Sequence, residues 1–305
     1  MKLILLFLLP IFLFADAHIF VMHRINDTRY PSTDTTTKEL VKYFNYIKTH
    51  HYKPVKLSTL VAMMQKKQNI NKIVVFSIDD TFESFYKNGL PLFIKYHVPF
   101  TLFVYTQATT EHFGDYMTWK QVRRCEQYGE LGVHSYAHPH LPMLSKKQIN
   151  KDTQKAIWLF KKYIGYVPDM YAYPYGEYNQ KVKTIIEKYF KVIANQNVGA
   201  ITDNTPINDL DRIALTGTVN IAQKLRLIRL HVKDFTVKRD NKIVTNISGI
   251  VDTPYVYIYL TTIGWKKVKV INHHFLYMPN FKMQKYRNRV IVQYKNALIT
   301  KFLTR

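Results

Sequence analysis

From residue 18 to about residue 230, short apolar runs alternate with longer stretches whose apolar positions recur every three or four residues. The runs at 18–22, 72–78 (Ile73-Val74-Val75-Phe76-Ser77-Ile78) and 99–105 (Pro99-Phe100-Thr101-Leu102-Phe103-Val104-Tyr105) are short and rich in β-branched and aromatic residues. They read as buried strands. Segments 36–49, 57–66, 89–96, 118–128, 146–164 and 179–189 carry helical spacing, the third of them started by Pro91. Alternation sustained over this length predicts an α/β domain with a parallel sheet or barrel. The number of repeats favours a distorted (β/α) barrel, where chemistry gathers at the C-terminal ends of the strands.

Near Lys224 the period changes to two. Leu230-His231-Val232-Lys233-Asp234-Phe235, Tyr255-Val256-Tyr257-Ile258-Tyr259-Leu260, Lys267-Val268-Lys269-Val270 and Arg289-Val290-Ile291-Val292-Gln293-Tyr294 alternate apolar with polar residues, and Gly, Asn and Pro lie between them. This is an antiparallel β pattern, so residues 224–305 are expected to form a small β-rich module after a barrel domain at 18–223. Residues 224–305 hold 17 Lys+Arg against 3 Asp, which places +14 of the chain's net +23 there. That basic excess reads either as a solvated face or as a docking surface for an anionic cell-wall polymer or membrane.

The amino terminus narrows those partners. Lys2 precedes an apolar run from Leu3 to Phe14, followed by Ala15-Asp16-Ala17, the three parts of a secretory signal peptide. Twelve apolar residues fall short of the ~20 that span a bilayer. A signal peptide over residues 1–17, with export to a periplasmic or cell-surface location, removes nucleic acid as the partner of the basic surface. With a single cysteine, Cys125, the chain has neither a disulfide framework nor a cysteine-based zinc cluster. Cys125 continues the helical row Trp119, Val122 and is expected to be a buried, inert thiol.

Three clusters can carry chemistry. Asp79-Asp80 follows the strand ending at Ile78; two adjacent carboxylates need a compensating cation or a shared proton. They suit a metal ligand beside a general base, or else form an ordinary acidic turn. His134 and His138 are four residues apart and can face one cation, although twelve histidines make such a spacing common by chance. Tyr173-Pro174-Tyr175-Gly176 suits a rigid loop offering ring faces to a sugar and a backbone N–H to an oxyanion, or else packs as an aromatic strand end.

In order and spacing, Phe76-Ser77-Ile78-Asp79-Asp80, Gly132-Val133-His134-Ser135 with His138, and Tyr173-Pro174-Tyr175-Gly176 together resemble the polysaccharide deacetylase family, the NodB-homology fold of carbohydrate esterase family 4. The stretch 88–104 resembles the family's stretch after the Asp pair, and Met22-His23-Arg24-Ile25 resembles the opening strand of its exported branch. The resemblance implies a distorted barrel, with Asp79 as catalytic base and Asp80, His134 and His138 holding a divalent metal, zinc foremost. It also implies Tyr173, Pro174 and Tyr175 against the substrate. The expected reaction is removal of N-acetyl groups from an N-acetylglucosamine glycan, peptidoglycan or exopolysaccharide. An O-acetyl ester deacetylase and a non-catalytic glycan-binding protein are the alternatives. The chain departs from the pattern at Ile78 (usually Phe), Thr81 (usually Gly) and Ala172, where an Arg commonly orients the base. Ile228-Arg229-Leu230-His231 matches the late motif that supplies an acid histidine, but within the β-rich segment.

Overall fold

The computed structural model describes residues 16–304. Eight parallel strands form the first sheet: β1 (His18–Met22), β2 (Lys53–Pro54), β3 (Ile73–Ile78), β4 (Thr101–Val104), β5 (Glu130–Val133), β6 (Met170–Ala172), β7 (Val192–Ala194) and β8 (Ile213–Ala214). Their order is β8-β1-β3-β4-β5-β6-β7, with β2 beside the first half of β3. The segment 207–214 draws the two edges together. The Leu210 N–H donates to Ile193 O of β7, and Ile213 of β8 pairs with Phe20 of β1. The sheet thereby curls into the distorted (β/α) barrel that the alternation predicts.

Helices Thr37–Thr49, Leu57–Gln65, Leu90–Lys95, Trp119–Glu126, Lys146–Tyr163 and Gln180–Ile186 lie within the six segments of helical spacing. Trp119–Glu126 and Lys146–Tyr163 each begin with a capping box, Thr118 with Gln121 and Ser145 with Gln148, which satisfies their first N–H groups. Cys125 is buried, and burial pushes its thiol up to about 12, as an inert thiol requires. No helix among the described residues is long and apolar enough to cross a membrane.

The strand pleat explains why polar groups reach the barrel centre. On β3, Val74, Phe76 and Ile78 join the core beneath the helices, while Val75 joins a second core with Ile19, Phe103 and Ala194. Ser77 and then Asp79 continue the Val75 row, both fully buried. Gly132 on β5 makes room for the Phe103 ring, which a Cβ at that position would approach to 2.4 Å.

The C-terminal strands are β9 (Ile228–Arg229), β10 (Lys233–Asp240), β11 (Ile243–Ile250), β12 (Tyr255–Leu260), β13 (Gly264–Lys269), β14 (His274–Tyr277), β15 (Phe281–Lys282), β16 (Asn288–Tyr294) and β17 (Ala297–Leu303). They form a five-stranded sheet, β9-β17-β16-β12-β13, and a four-stranded one, β10-β11-β14 with β15 beside β11. Val244, Ile247, Phe275, Val256, Ile258, Val290 and Val292 from the two sheets make one core. Leu225 still packs on the barrel core and Leu230 is already in the module core, so packing changes over a few residues beyond the composition break.

The apolar run of the expected signal peptide lies outside the described residues. Asp16 and Ala17, the last two residues of that expected peptide, are described: Ala17 exchanges backbone hydrogen bonds with Ile201, and Asp16 accepts from the Arg229 N–H.

Candidate active site

Asp79 and Asp80 leave the C-terminal end of β3. Register sets Met22 of β1 against Ile78, and the Asp79 N–H donates to Met22 O, so His23 lies level with Asp79. His134 leaves the end of β5, its N–H donating to Val104 O. The turn that follows is folded by two side chains. Asp152, from the helix Lys146–Tyr163, accepts from the N–H groups of Tyr136 and Ala137, both at 2.9 Å, and Ser135 Oγ accepts from the His138 N–H at 2.9 Å. The imidazoles of His134 and His138 are thus brought together, their Nε2 atoms 3.2 Å apart. Asp80 Oδ1 lies 3.2 Å from the first and 3.1 Å from the second.

These three residues fit a cation. A carbonyl can only accept, so His134 Nδ1 donates to Ala172 O at 2.7 Å and the neutral ring keeps a lone pair on Nε2. Asp80 Oδ1 is buried and receives no hydrogen bond. One ligand atom from each residue lies within 4.8 Å of the others. Converging lone pairs repel unless a positive charge sits among them, and two imidazoles with a carboxylate are a donor set for zinc and other first-row divalent ions. Burial alone would raise the Asp80 carboxyl, but the facing His138 and His134 outweigh it and hold the group well below the usual range.

Asp79 faces a different partner, which the sequence reading missed. Arg212, 1 % exposed, grips it with both arms, Nη1 to Oδ1 at 2.7 Å and Nη2 to Oδ2 at 2.8 Å. Arg212 Nε donates to Asn195 O at 2.7 Å and Nη1 also to Ser77 Oγ at 3.1 Å, which fixes the guanidinium in the barrel axis. Burial favours the neutral acid, yet Arg212 and His134 outweigh it and lower the Asp79 carboxyl. The arginine expected near position 172 is therefore supplied from β8's entry, and Ala172 serves through its carbonyl alone. The available signal was Asp211-Arg212, a charged pair opening the apolar run Ile213-Ala214-Leu215. His23 was also passed over as a site residue. Its Nδ1 is buried without a hydrogen-bond partner, and Asp80, Asp79, Arg212 and His134 all act on its charge.

Asp80, Thr81, Ser135, His138 and Tyr175 all adopt left-handed backbone, with φ of 74°, 60°, 63°, 50° and 58°. Non-glycine residues take this region at a cost, and such strain collects where a site must be held in one shape. Tyr175 is turned by it so that its ring meets His138 edge-on at 4.4 Å and stacks on His140 at 4.3 Å. Tyr105 meets His138 from elsewhere at 5.3 Å and packs with Tyr116 and Phe113. Two partly exposed aromatic walls thus border the histidines.

Two of the expected substrate contacts are corrected. Tyr173 is fully buried, stacked on Tyr178 at 4.9 Å and edge-on to Tyr171 at 5.7 Å, and Pro174 is buried with it. Strand alternation points Tyr173 into the helix-side core, so only Tyr175 of the three has a ring at the site. His231 is exposed and interacts with Asp16 at the amino-terminal end of β1, the end away from Asp79. It is not part of this cluster.

A parallel barrel that gathers two histidines and a carboxylate beside an arginine-gripped aspartate has the donor set that metal-assisted hydrolysis needs. Residues 66–190 match the sequence model of the family described as polysaccharide deacetylase. That stretch is thus similar to a polysaccharide deacetylase domain, in line with the resemblance of the motifs. The chain is 24 % identical over 164 residues to the poly-β-1,6-N-acetyl-D-glucosamine N-deacetylase of Staphylococcus epidermidis, an alignment covering 49 % of this chain and 57 % of that protein. It thus spans little more than half of that relative's length. Its fold resembles the deacetylase PplD of Streptococcus pyogenes, solved with acetate, at a TM-score of 0.64 and 20 % identity, over 69 % of this chain and 98 % of the other. IcaB from Ammonifex degensii follows the same fold, with a TM-score of 0.59 and 18 % identity over 66 % of this chain and 92 % of that one.

Proposed function

We propose that this protein is a metal-dependent N-deacetylase acting outside the cytoplasm on an N-acetylglucosamine polymer, with exopolysaccharide of the β-1,6-linked type the first candidate. The observation that carries this reading is the convergence of Asp80, His134 and His138 next to an Asp79 locked by Arg212. The similarity to the staphylococcal deacetylase supports the choice of glycan. A divalent cation, zinc foremost, held by Asp80, His134 and His138 would supply Lewis-acid polarisation of the acetyl carbonyl and acidify a water molecule.

The chain's own residues do the rest. Each Asp79 oxygen spends one lone pair on Arg212 and keeps another for the proton of the attacking water. Arg212 keeps Asp79 ionised and immobile, so the base is aimed before substrate arrives. Burial lowers the imidazole of His23, level with Asp79, so the proton it would pass to the departing nitrogen, which cannot leave as an amide anion, is the one Asp79 takes from the water. Tyr175 and Tyr105 border the sugar. Export rests on the signal-peptide pattern of residues 1–17, and the basic C-terminal module is read as holding the enzyme near anionic wall or membrane material.

The test is acetate release from purified glycans with and without chelator. We expect release from β-1,6-linked N-acetylglucosamine oligomers, its loss on chelation and its return with zinc. Release that persists in a metal-free preparation overturns the reading.

A further inference from the structure

The C-terminal module enters the rim of the candidate metal site at one loop, between β15 and β16. Fully buried Asn288 closes this loop: its Oδ1 accepts from the Gln284 N–H at 2.7 Å and its Nδ2 donates to Gln284 O at 3.0 Å. Met283, buried at the loop's start, donates its N–H to Lys242 O at 2.8 Å. Arg287 and Arg289 donate to Gln196 Oε1 and O, at 3.4 and 3.2 Å. Gln196 in turn backs on Gly176, where a Cβ would come within 2.4 Å of the Gln196 side chain. The loop is therefore fixed from both sides against the turn that carries Tyr175.

At its tip, Tyr286 stacks on His140 with ring centroids 4.1 Å apart and planes at 16°. His140 stacks on Tyr175 at 4.3 Å and 14°, and its Nδ1 lies 2.7 Å from Glu177 Oε2. Tyr175 meets the candidate ligand His138. Three near-parallel rings thus run from the module to the cation site, all partly exposed, with the exposed Lys285 ammonium 5.0 Å from the Tyr286 ring centre. The rings cover one another's inner faces, so the row presents a sugar chain with rigid ring edges and the outer face of Tyr286 for its C–H groups, and with charged groups for its hydroxyls.

Tyr286 is not needed merely to attach the module. Arg229 pairs with Asp211 at 3.0 Å, and Thr300 Oγ1 donates to Val198 O at 2.8 Å, both away from this rim.

We propose that Tyr286, with His140, forms a glycan subsite next to the metal site, so that the C-terminal module makes the enzyme prefer polymer over a single sugar. This rests on the deacetylase reading above. The ligand class is a neutral N-acetylated glycan chain, and the role of Tyr286 is to determine specificity.

The experiment uses the full chain with Tyr286→Ala and Tyr286→Phe, three substrates (p-nitrophenyl acetate, N-acetylglucosamine and its β-1,6-linked hexamer), and calorimetric binding of the hexamer. For Tyr286→Ala we expect KM and Kd for the hexamer to rise about tenfold, the size of one lost aromatic contact. Its ester turnover and thermal midpoint should match the parent, and Tyr286→Phe should behave as the parent does. Equal loss on the small ester and the hexamer, or no change on either, overturns the subsite. Tyr286-dependent binding of the hexamer without acetate release leaves the subsite standing and defeats the deacetylase reading. Acetate release with the same KM in parent and Tyr286→Ala does the reverse. A parent that neither binds nor deacetylates the hexamer removes both.

Discussion

The barrel and the C-terminal module use charge in opposite ways. The module holds +14 of the net +23, yet most of its Lys and Arg side chains are solvated, and its core is the apolar row shared by two sheets. The barrel sets ionisable groups in its interior: Asp79 is 0 %, Arg212 1 % and His134 1 % exposed. A buried charge without a partner costs several kcal/mol, so each of these must be answered by a specific neighbour, and the neighbours define the site. An exposed lysine carries no such requirement, and its position says little about chemistry. Charge count and charge placement are separate kinds of information.

The comparison breaks first at Asp79. Asp79→Asn keeps the shape and one of the two bonds from Arg212 but removes the proposed base; acetate release should fall by about 10³-fold, with metal content unchanged by elemental analysis. A variant that keeps a tenth of the parent rate would show that the buried pair is structural only. His23→Ala should slow release from the amide about 10²-fold while leaving p-nitrophenyl acetate, whose leaving group needs no proton, within a few-fold of the parent. Equal slowing of both substrates would count against His23 as a proton carrier.

Arg212→Met leaves Asp79 buried without its counter-charge, and urea unfolding should register a loss of roughly 3–5 kcal/mol. A change below ~1 kcal/mol would mean that solvent reaches the barrel axis. Asp211 tests the junction between the two regions. Burial pushes its carboxyl up to about 6, Arg229 opposing and Asp209 adding to the rise. The fold therefore binds this proton more tightly than the unfolded chain does, and stability should fall as pH rises from 3.8 to about 6. Asp211→Asn should flatten that slope and add roughly 1–3 kcal/mol at pH 7, read from unfolding curves at several pH values. An unaltered slope would locate the titration elsewhere.

The smallest effect belongs to the module surface. Lys266→Ala with Lys267→Ala should shift stability by no more than about 0.5 kcal/mol. It should lower the salt needed to elute the protein from an anionic matrix, because exposed charges are screened at modest ionic strength. A large stability loss would show that these exposed lysines are structural after all.

What the chain's letters disclosed follows the same division. Local periodicity exposed the barrel and the β-rich module, since each strand and helix is written in consecutive residues. Asp79-Asp80 and His134 with His138 were visible because each pair is contiguous or nearly so. Arg212 was not, because the bond to Asp79 joins positions 133 apart and no local pattern announces it. His23 is level with Asp79 only through the parallel register of β1 and β3. Tyr173 misled for the opposite reason. A run of tyrosines looks like a binding loop, yet the strand pleat buries one ring and the left-handed turn at residue 175 exposes another.

Ala172 carries a consequence for descent. It contributes only a main-chain oxygen to His134, which any amino acid possesses, so its side chain is free to drift while the histidine stays aimed. The guanidinium that grips Asp79 has its own address at position 212. Relatives sharing this division of labour can lose every letter of a motif at one place and keep its chemistry intact. They are recognised by where the arginine arrives, and much less by where it is written.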